Sequence, residues 1–149
     1  MKVERDIDLA APREQVYELL MDPQRLGEWV TIHERFDDAP DELSEGAEMS
    51  QRLKVAGQRF TVHWKVTEDD RPARVKWEGR GPARTSARVV YDLEERDRGS
   101  RFSYLNEYEL PGGAAGRMAG RAVSAAAGRE VERSLERLKR LLEGDVVRR

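Results

Sequence analysis

The sequence contains no cysteine, which excludes disulfides, thiolate metal sites and cysteine nucleophiles. That absence suits a reducing cytoplasm, and a cytoplasmic location is the expectation. No long apolar run is present either. Residues 1–11 carry Lys2, Glu4, Arg5, Asp6 and Asp8, a composition foreign to a signal peptide or a membrane span, so stable membrane insertion is not expected. Charge of one sign is also lacking: charged residues make up 38% of the chain, yet the net charge is only −2. Interleaved signs build no basic field, which argues against nucleic-acid binding. There is no phosphate-binding glycine loop and no nucleophile elbow, so no cofactor is expected and no catalytic residue is assigned.

What is present fits one domain over residues 1–149, a length at which folding buries roughly 70% of the unfolded surface. Val3, Ile7 and Leu9 alternate with charged residues and predict a half-buried first strand. Arg5 interrupts its apolar face, which suggests that the strand begins near an edge or the solvent. Ala10-Ala11-Pro12 opens a helix with Val16, Leu19 and Leu20 inward and Glu14 in its first turn. Asp22-Pro23 ends it and starts a short second helix, with Asp22 as N-cap and Leu26 and Trp29 inward. The acidic stretch from Thr31 to Gly46 reads as an irregular loop.

The middle of the chain reads as a meander. A two-residue turn at Ala56-Gly57 sets Leu53 opposite Phe60, Gln51 opposite Val62 and Met49 opposite Trp64, so both apolar faces agree. A turn over Asp69 to Pro72 sets Val66 opposite Val75 and Trp64 opposite Trp77. A reversal from Arg96 to Gly99 aligns Leu93 with Phe102, Tyr91 with Tyr104, Val89 with Asn106 and Ala87 with Tyr108. A long C-terminal helix follows Pro111-Gly112-Gly113. Its core stripe is Ala115, Ala119, Val123, Ala127, Val131, Leu135, Leu138 and Leu142, and Gly144 is its expected C-cap.

This helix is thin at its start and bulky at its end. Beside its alanines runs a stripe of Gly112, Gly116, Gly120, Ser124 and Gly128, and each interior glycine costs about 1 kcal/mol against alanine. Close packing on the sheet and a pocket under the helix both explain such smallness. The inward sheet face favours the pocket. Gln51, Tyr91, Tyr104, Asn106 and Tyr108 stand there among Met49, Trp64, Trp77 and Phe102. Apolar walls with a few polar groups line small-molecule sites. Of the two histidines, His63 falls on the outer face. His33 lies in the acidic stretch with Glu34, Asp37 and Asp38, too little for a metal site, and none is expected.

The element order, with Ala11-Pro12, Val16-Tyr17, Leu20, Asp22 and Trp29 near the start, resembles the START-related superfamily (SRPBCC) that includes the birch-pollen allergen. Asn106-Glu107-Tyr108-Glu109-Leu110-Pro111-Gly112-Gly113 and Ser134-Leu135-Glu136-Arg137-Leu138-Lys139 are similar to bacterial members of its polyketide cyclase/dehydrase and lipid transport type. The resemblance implies an α+β helix-grip fold: a curved antiparallel sheet of about six to seven strands, two short helices after the first strand, and one long C-terminal helix. It also implies a hydrophobic cavity between sheet and helix, but no particular reaction.

The leading expectation is therefore binding or transport of a small hydrophobic or aromatic molecule in that cavity. Its expected lining is Trp29, Met49, Gln51, Trp64, Trp77, Tyr91, Tyr104, Asn106 and Tyr108 from helix and sheet, with Ala119 and Gly120 from the long helix. Two alternatives stay open. One is a cyclase or dehydratase in which Tyr104, Asn106 and Tyr108, helped by Gln51, position a carbonyl or enol. The other is an interaction module whose acidic segment from Asp37 to Glu48 docks a partner.

Overall fold

A computed structural model describes residues 2–55, 57–82, 85–109 and 114–147, with side chains at all of these except 55, 109, 114–124 and 145–147. The element order is β1 (Lys2–Leu9), α1 (Arg13–Leu20), α2 (Leu26–Trp29), β2 (His33–Asp38), β3 (Glu48–Val55), β4 (Gln58–Asp70), β5 (Arg74–Arg80), β6 (Ser86–Arg96), β7 (Gly99–Glu109) and α3 (Ala114–Val147). The strands form a seven-stranded antiparallel sheet in the order β1-β7-β6-β5-β4-β3-β2. The expected helix-grip architecture is what the chain adopts.

Among the described residues strand β1 is an edge strand, paired with β7 alone, and its Val3 and Leu9 are buried. Arg5 interrupts its apolar face because it reaches α3, where its Nε donates to Glu132 Oε1 at 3.0 Å. A Cβ added to Gly128 would lie 3.2 Å from Arg5 Nη2, the tip of a flexible side chain, so that helix glycine sits beside the Arg5 contact. Helix α1 starts after Pro12, which holds φ at −65° and is the N-cap. Asp22 does not cap α2, whose N-cap is Arg25. Its carboxylate accepts from Gln24 N–H at 3.0 Å and so shapes the turn between the helices.

The hairpin β3–β4 has the register the pattern predicts, with Leu53 opposite Phe60, Gln51 opposite Val62 and Met49 opposite Trp64. Gly57 takes the positive φ of 80° that its turn requires; Ala56 lies outside the described residues. The β6–β7 pairing also agrees, from Arg96 opposite Gly99 to Ala87 opposite Tyr108.

Hairpin β4–β5 differs. Its turn occupies residues 71–73, and a bulge interrupts the ladder between Val66 and Glu68. Val66 therefore faces Trp77, and Trp64 faces Gly79. The inserted residue reverses the in–out alternation, so Asp69 comes to lie opposite the buried Val75. The Asp69 side chain is only 5% exposed, and it is ligated by Tyr17 Oη and by Arg71 Nε at 2.9 Å. Arg71 also lies over the Tyr17 ring, 5.3 Å from its centroid. This cluster ties α1 to the sheet.

The other corrections concern the expected loop and the expected cap. Within the stretch from Thr31 to Gly46, residues 33–38 form edge strand β2. It hides little and pairs irregularly with β3, so no apolar alternation announces it. Helix α3 runs through Gly144 to Val147, so Gly144 lies inside the helix. Ala127, Val131, Leu135, Leu138 and Leu142 are buried as the stripe requires. The side chains of Ala115, Ala119 and Val123 fall outside those described.

Candidate functional site

Four adjacent strands place a file of aromatic rings across the inward face. Trp64 on β4 meets Trp77 on β5 at 6.0 Å between centroids, Trp77 meets Tyr91 on β6 at 5.6 Å, and Tyr91 meets Tyr104 on β7 at 5.4 Å. Such contacts contribute about 0.5–1.5 kcal/mol each beyond area burial. Gly79 makes room for the file. A Cβ there would fall 2.6 Å from Trp64 Cε3 and 2.8 Å from Val62 Cγ1.

Between this face and the helical layer lies a cavity of about 30 Å³. Gln51, Trp64, Trp77, Tyr91, Tyr104, Asn106 and Tyr108 line it together, all of them expected from the sequence. Leu26, Val30, Ile32, Leu53 and Val89 complete the described wall and were not expected. Val30 and Ile32 show a strand-like alternation, but it is too short to separate from the loop reading. Trp29 is fully buried beside the site, its ring against Tyr91 and Phe102 at 6.1 and 6.4 Å, and does not reach the cavity. Met49 is buried opposite Trp64 and also stands outside the wall. The side chains of Ala119 and Gly120 lie outside those described.

The polar groups of the wall divide into satisfied and unsatisfied ones. Trp64 Nε1 donates to Gln51 Oε1 at 2.9 Å, and Gln51 Nε2 meets His33 Nδ1 at 2.8 Å. Asn106 Nδ2 donates to Tyr104 Oη at 3.2 Å. Asn106 Oδ1 and Trp77 Nε1, by contrast, are buried with no hydrogen-bond partner. Burial pushes the phenols of Tyr91 and Tyr104 well up, and that of Tyr108 up to about 12, with the Asn106 amide opposing this at Tyr104 and Tyr108. These hydroxyls are therefore neutral hydrogen-bonding groups across the physiological range.

His63 lies on the outer face as expected and meets Ser50 Oγ at 2.8 Å. His33 is not a solvated loop residue. It is half-buried, stacks on Phe36 at 4.8 Å and bonds Gln51, while Glu34 pairs with Arg59 at 2.6 Å instead. Among the described residues, no three histidine or carboxylate side chains are grouped to hold a metal. No helix among them is long and apolar enough to cross a membrane.

A larger hollow of about 810 Å³ opens on the other side of the sheet, lined by Lys65, Glu78, Arg80, Arg88 and Glu107 among others. Its charged, solvent-exposed wall, with Arg88 and Glu107 paired at 3.3 Å, is unsuited to an apolar guest.

Comparison with known proteins agrees with this architecture. An uncharacterized protein of Mycobacterium tuberculosis, Rv1546, is 30% identical over 140 residues, covering 93% of this chain and 96% of its own. The toxin Rv0910 of the same organism is 24% identical over 136 residues, covering 91% of this chain and 93% of its own. The crystal structure of TTHA0849 from Thermus thermophilus superposes with a TM-score of 0.80 at 19% identity, over 97% of this chain and 99% of that one. The model of the polyketide cyclase/dehydrase and lipid transport family matches residues 1–143. A sheet gripping a long helix, an aromatic inner wall and that near-complete match together place the chain in the polyketide cyclase/dehydrase and lipid transport family.

Proposed function

We propose that this protein binds or carries a small hydrophobic, largely aromatic molecule in the cavity between its sheet and its helical layer. The observation that carries this reading is the pair of orphaned polar atoms on a wall of mainly aromatic and aliphatic side chains, the acceptor Asn106 Oδ1 and the donor Trp77 Nε1. Each such group costs about 1–3 kcal/mol when buried unpaired, and both belong to residues that line the cavity; Trp29 Nε1, equally unpaired, lies beside it. A guest with an aromatic body and a polar substituent would satisfy them and stack on the file of rings.

At about 30 Å³ the cavity has room for little more than a water molecule, which needs roughly 10–15 Å³ on this measure. Binding therefore requires one wall to withdraw. Continuous ladders hold the sheet together, so the helical side, joined to it through side chains, is the wall that gives way. The neutral tyrosines are donors rather than bases, and the described wall contains no carboxylate or imidazole. This favours binding over cyclase or dehydratase chemistry.

The test combines native mass spectrometry of the purified protein with the variant Asn106→Leu. A co-purifying mass that is lost on denaturation is expected in the wild type. The variant should bind the same molecule roughly tenfold or more weakly while its free form stays at least as stable. A clear loss of stability with no change in bound mass would make Asn106 a structural residue and end this reading.

A further inference from the structure

We propose that His33 is a proton-controlled latch on the cavity wall: its neutral ring fixes the Gln51 amide, and protonation at Nδ1 releases that amide and weakens binding of the guest. The inference rests on the ligand-binding reading above, but its structural half stands apart from it.

The hydrogen-bond chemistry allows one arrangement. An indole N–H only donates, so the Gln51 atom 2.9 Å from Trp64 Nε1 is the carbonyl oxygen. The other end of the amide is then NH₂, and it faces His33 Nδ1 at 2.8 Å. An NH₂ group only donates, so Nδ1 carries the lone pair and the single ring proton sits on Nε2. Adding a proton to Nδ1 sets two donors against each other. Turning the amide over does not relieve this, because NH₂ would then face Trp64 Nε1, which is also only a donor. Gln51 and Trp64 are 4% and 5% exposed, so bulk water does not replace the lost partner. Both belong to the cavity wall, and a proton on His33 therefore acts on the wall itself.

The surroundings keep the ring neutral. Burial alone holds the His33 pKa below its ordinary value. The charged groups on neighbouring elements are engaged elsewhere: Glu28 of α2 with Arg25 at 2.7 Å, Arg35 of β2 with Asp37 at 2.7 Å, Glu34 with Arg59 at 2.6 Å, and Glu130 of α3 with Arg133 at 2.9 Å. Arg52 and Lys54 flank Leu53, the β3 residue opposite His33, and as cations they do not favour a positive charge on the ring.

Two arms of one experiment test the latch. In an NMR pH titration, His33 should be the Nε2–H tautomer near neutrality. The Gln51 NH₂ and Trp64 indole N–H signals should shift with the His33 midpoint. Gln51→Glu replaces the facing donor with a carboxylate and should move the His33 midpoint up past its ordinary value. If the Gln51 and Trp64 signals stay flat while His33 titrates, the latch is wrong.

The second arm follows the uncharged fluorophore N-phenyl-1-naphthylamine from pH 7.5 down through the His33 midpoint found by NMR. Its affinity for the wild type should fall on the order of three- to tenfold, the worth of about one hydrogen bond. For His33→Asn, whose Oδ1 replaces Nδ1 as a non-titrating acceptor, affinity should stay level. Equal pH dependence in both proteins overturns the coupling to the cavity. No binding at any pH overturns the ligand-binding reading, and the NMR arm still decides the latch.

Discussion

Gly79→Ala is the sharpest test of the packing that shapes the cavity wall. In most strand interiors this change is favourable by roughly 0.5–1 kcal/mol, because glycine loses more chain entropy on folding. The backbone raises no objection here, since the positive-φ glycines among the described residues are Gly46 and Gly57. Space decides the outcome. The new methyl would sit 2.6 Å from Trp64 Cε3, 2.8 Å from Val62 Cγ1 and 2.9 Å from Trp64 Cδ2. The nearest obstacle is a rigid ring, pinned by its bond to Gln51 and by the edge of Trp77, so it has little freedom to retreat. Overpacking of this kind costs about 1–3 kcal/mol and reverses the usual sign. With a urea slope of about 2 kcal/mol per molar, the midpoint should fall by about 1 M with an unchanged slope. The Trp64 indole N–H resonance should also move. Gly144→Ala is the control, because its Cβ meets nothing within 4 Å inside a helix, and it should stabilise by about 1 kcal/mol. A Gly79→Ala protein as stable as the wild type, with the indole signal unmoved, would refute the argument.

Two further outcomes follow from the same structure. Tyr17→Phe removes the donor to a carboxylate that is 5% exposed and leaves it Arg71, so unfolding should become about 1–3 kcal/mol easier; a loss of stability in urea unfolding below about 0.5 kcal/mol would exclude this. All 4 tyrosines of the chain, Tyr17, Tyr91, Tyr104 and Tyr108, have phenol pKa values raised above 10.0, mainly by burial. The folded state then holds more protons than the unfolded one above that pH, so this contribution is complete below pH 10 and is lost as pH rises through the folded values. Phenolate absorbance should accordingly appear together with alkaline unfolding, and ionisation of a tyrosine in still-folded protein near its ordinary pKa would contradict the burial described.

The legible part of the fold was the part written in alternation. Leu53, Phe60, Tyr91 and Tyr104 sit where a two-residue side-chain period places them, because a slip of one residue would expose a whole apolar face. Hairpin β4–β5 was misread because a bulge leaves no compositional mark: Thr67 is as ordinary in a strand as the residues beside it. Strand β2 was hidden for the opposite reason, since its pairing rests on backbone bonds at an exposed edge and needs no apolar side chains. Most of the cavity wall is legible in the inward pattern, but that pattern also takes in Trp29 and Met49, which are buried outside the wall. Inward direction says which layer a residue joins, not which residues leave a gap. The engagement of His33 with Gln51 depends on strand pairing across residues 33–53, which the acidic sequence between them concealed.

The pairing of β1 with β7 has a consequence for how the chain comes into being. Strands β3 to β7 are joined by short connections, so each can pair with its predecessor almost as soon as it is made. Strand β1 precedes the other described strands, yet its partner β7, which sets Lys2 opposite Glu107 and Leu9 opposite Ser100, is the last of them to be made. During that interval Val3, Ile7 and Leu9 have no ladder to join. The charged residues Glu4, Arg5, Asp6 and Asp8 between them keep the waiting segment soluble and discourage it from pairing with another copy. The broken apolar face of β1 is thus also a safeguard for the nascent protein.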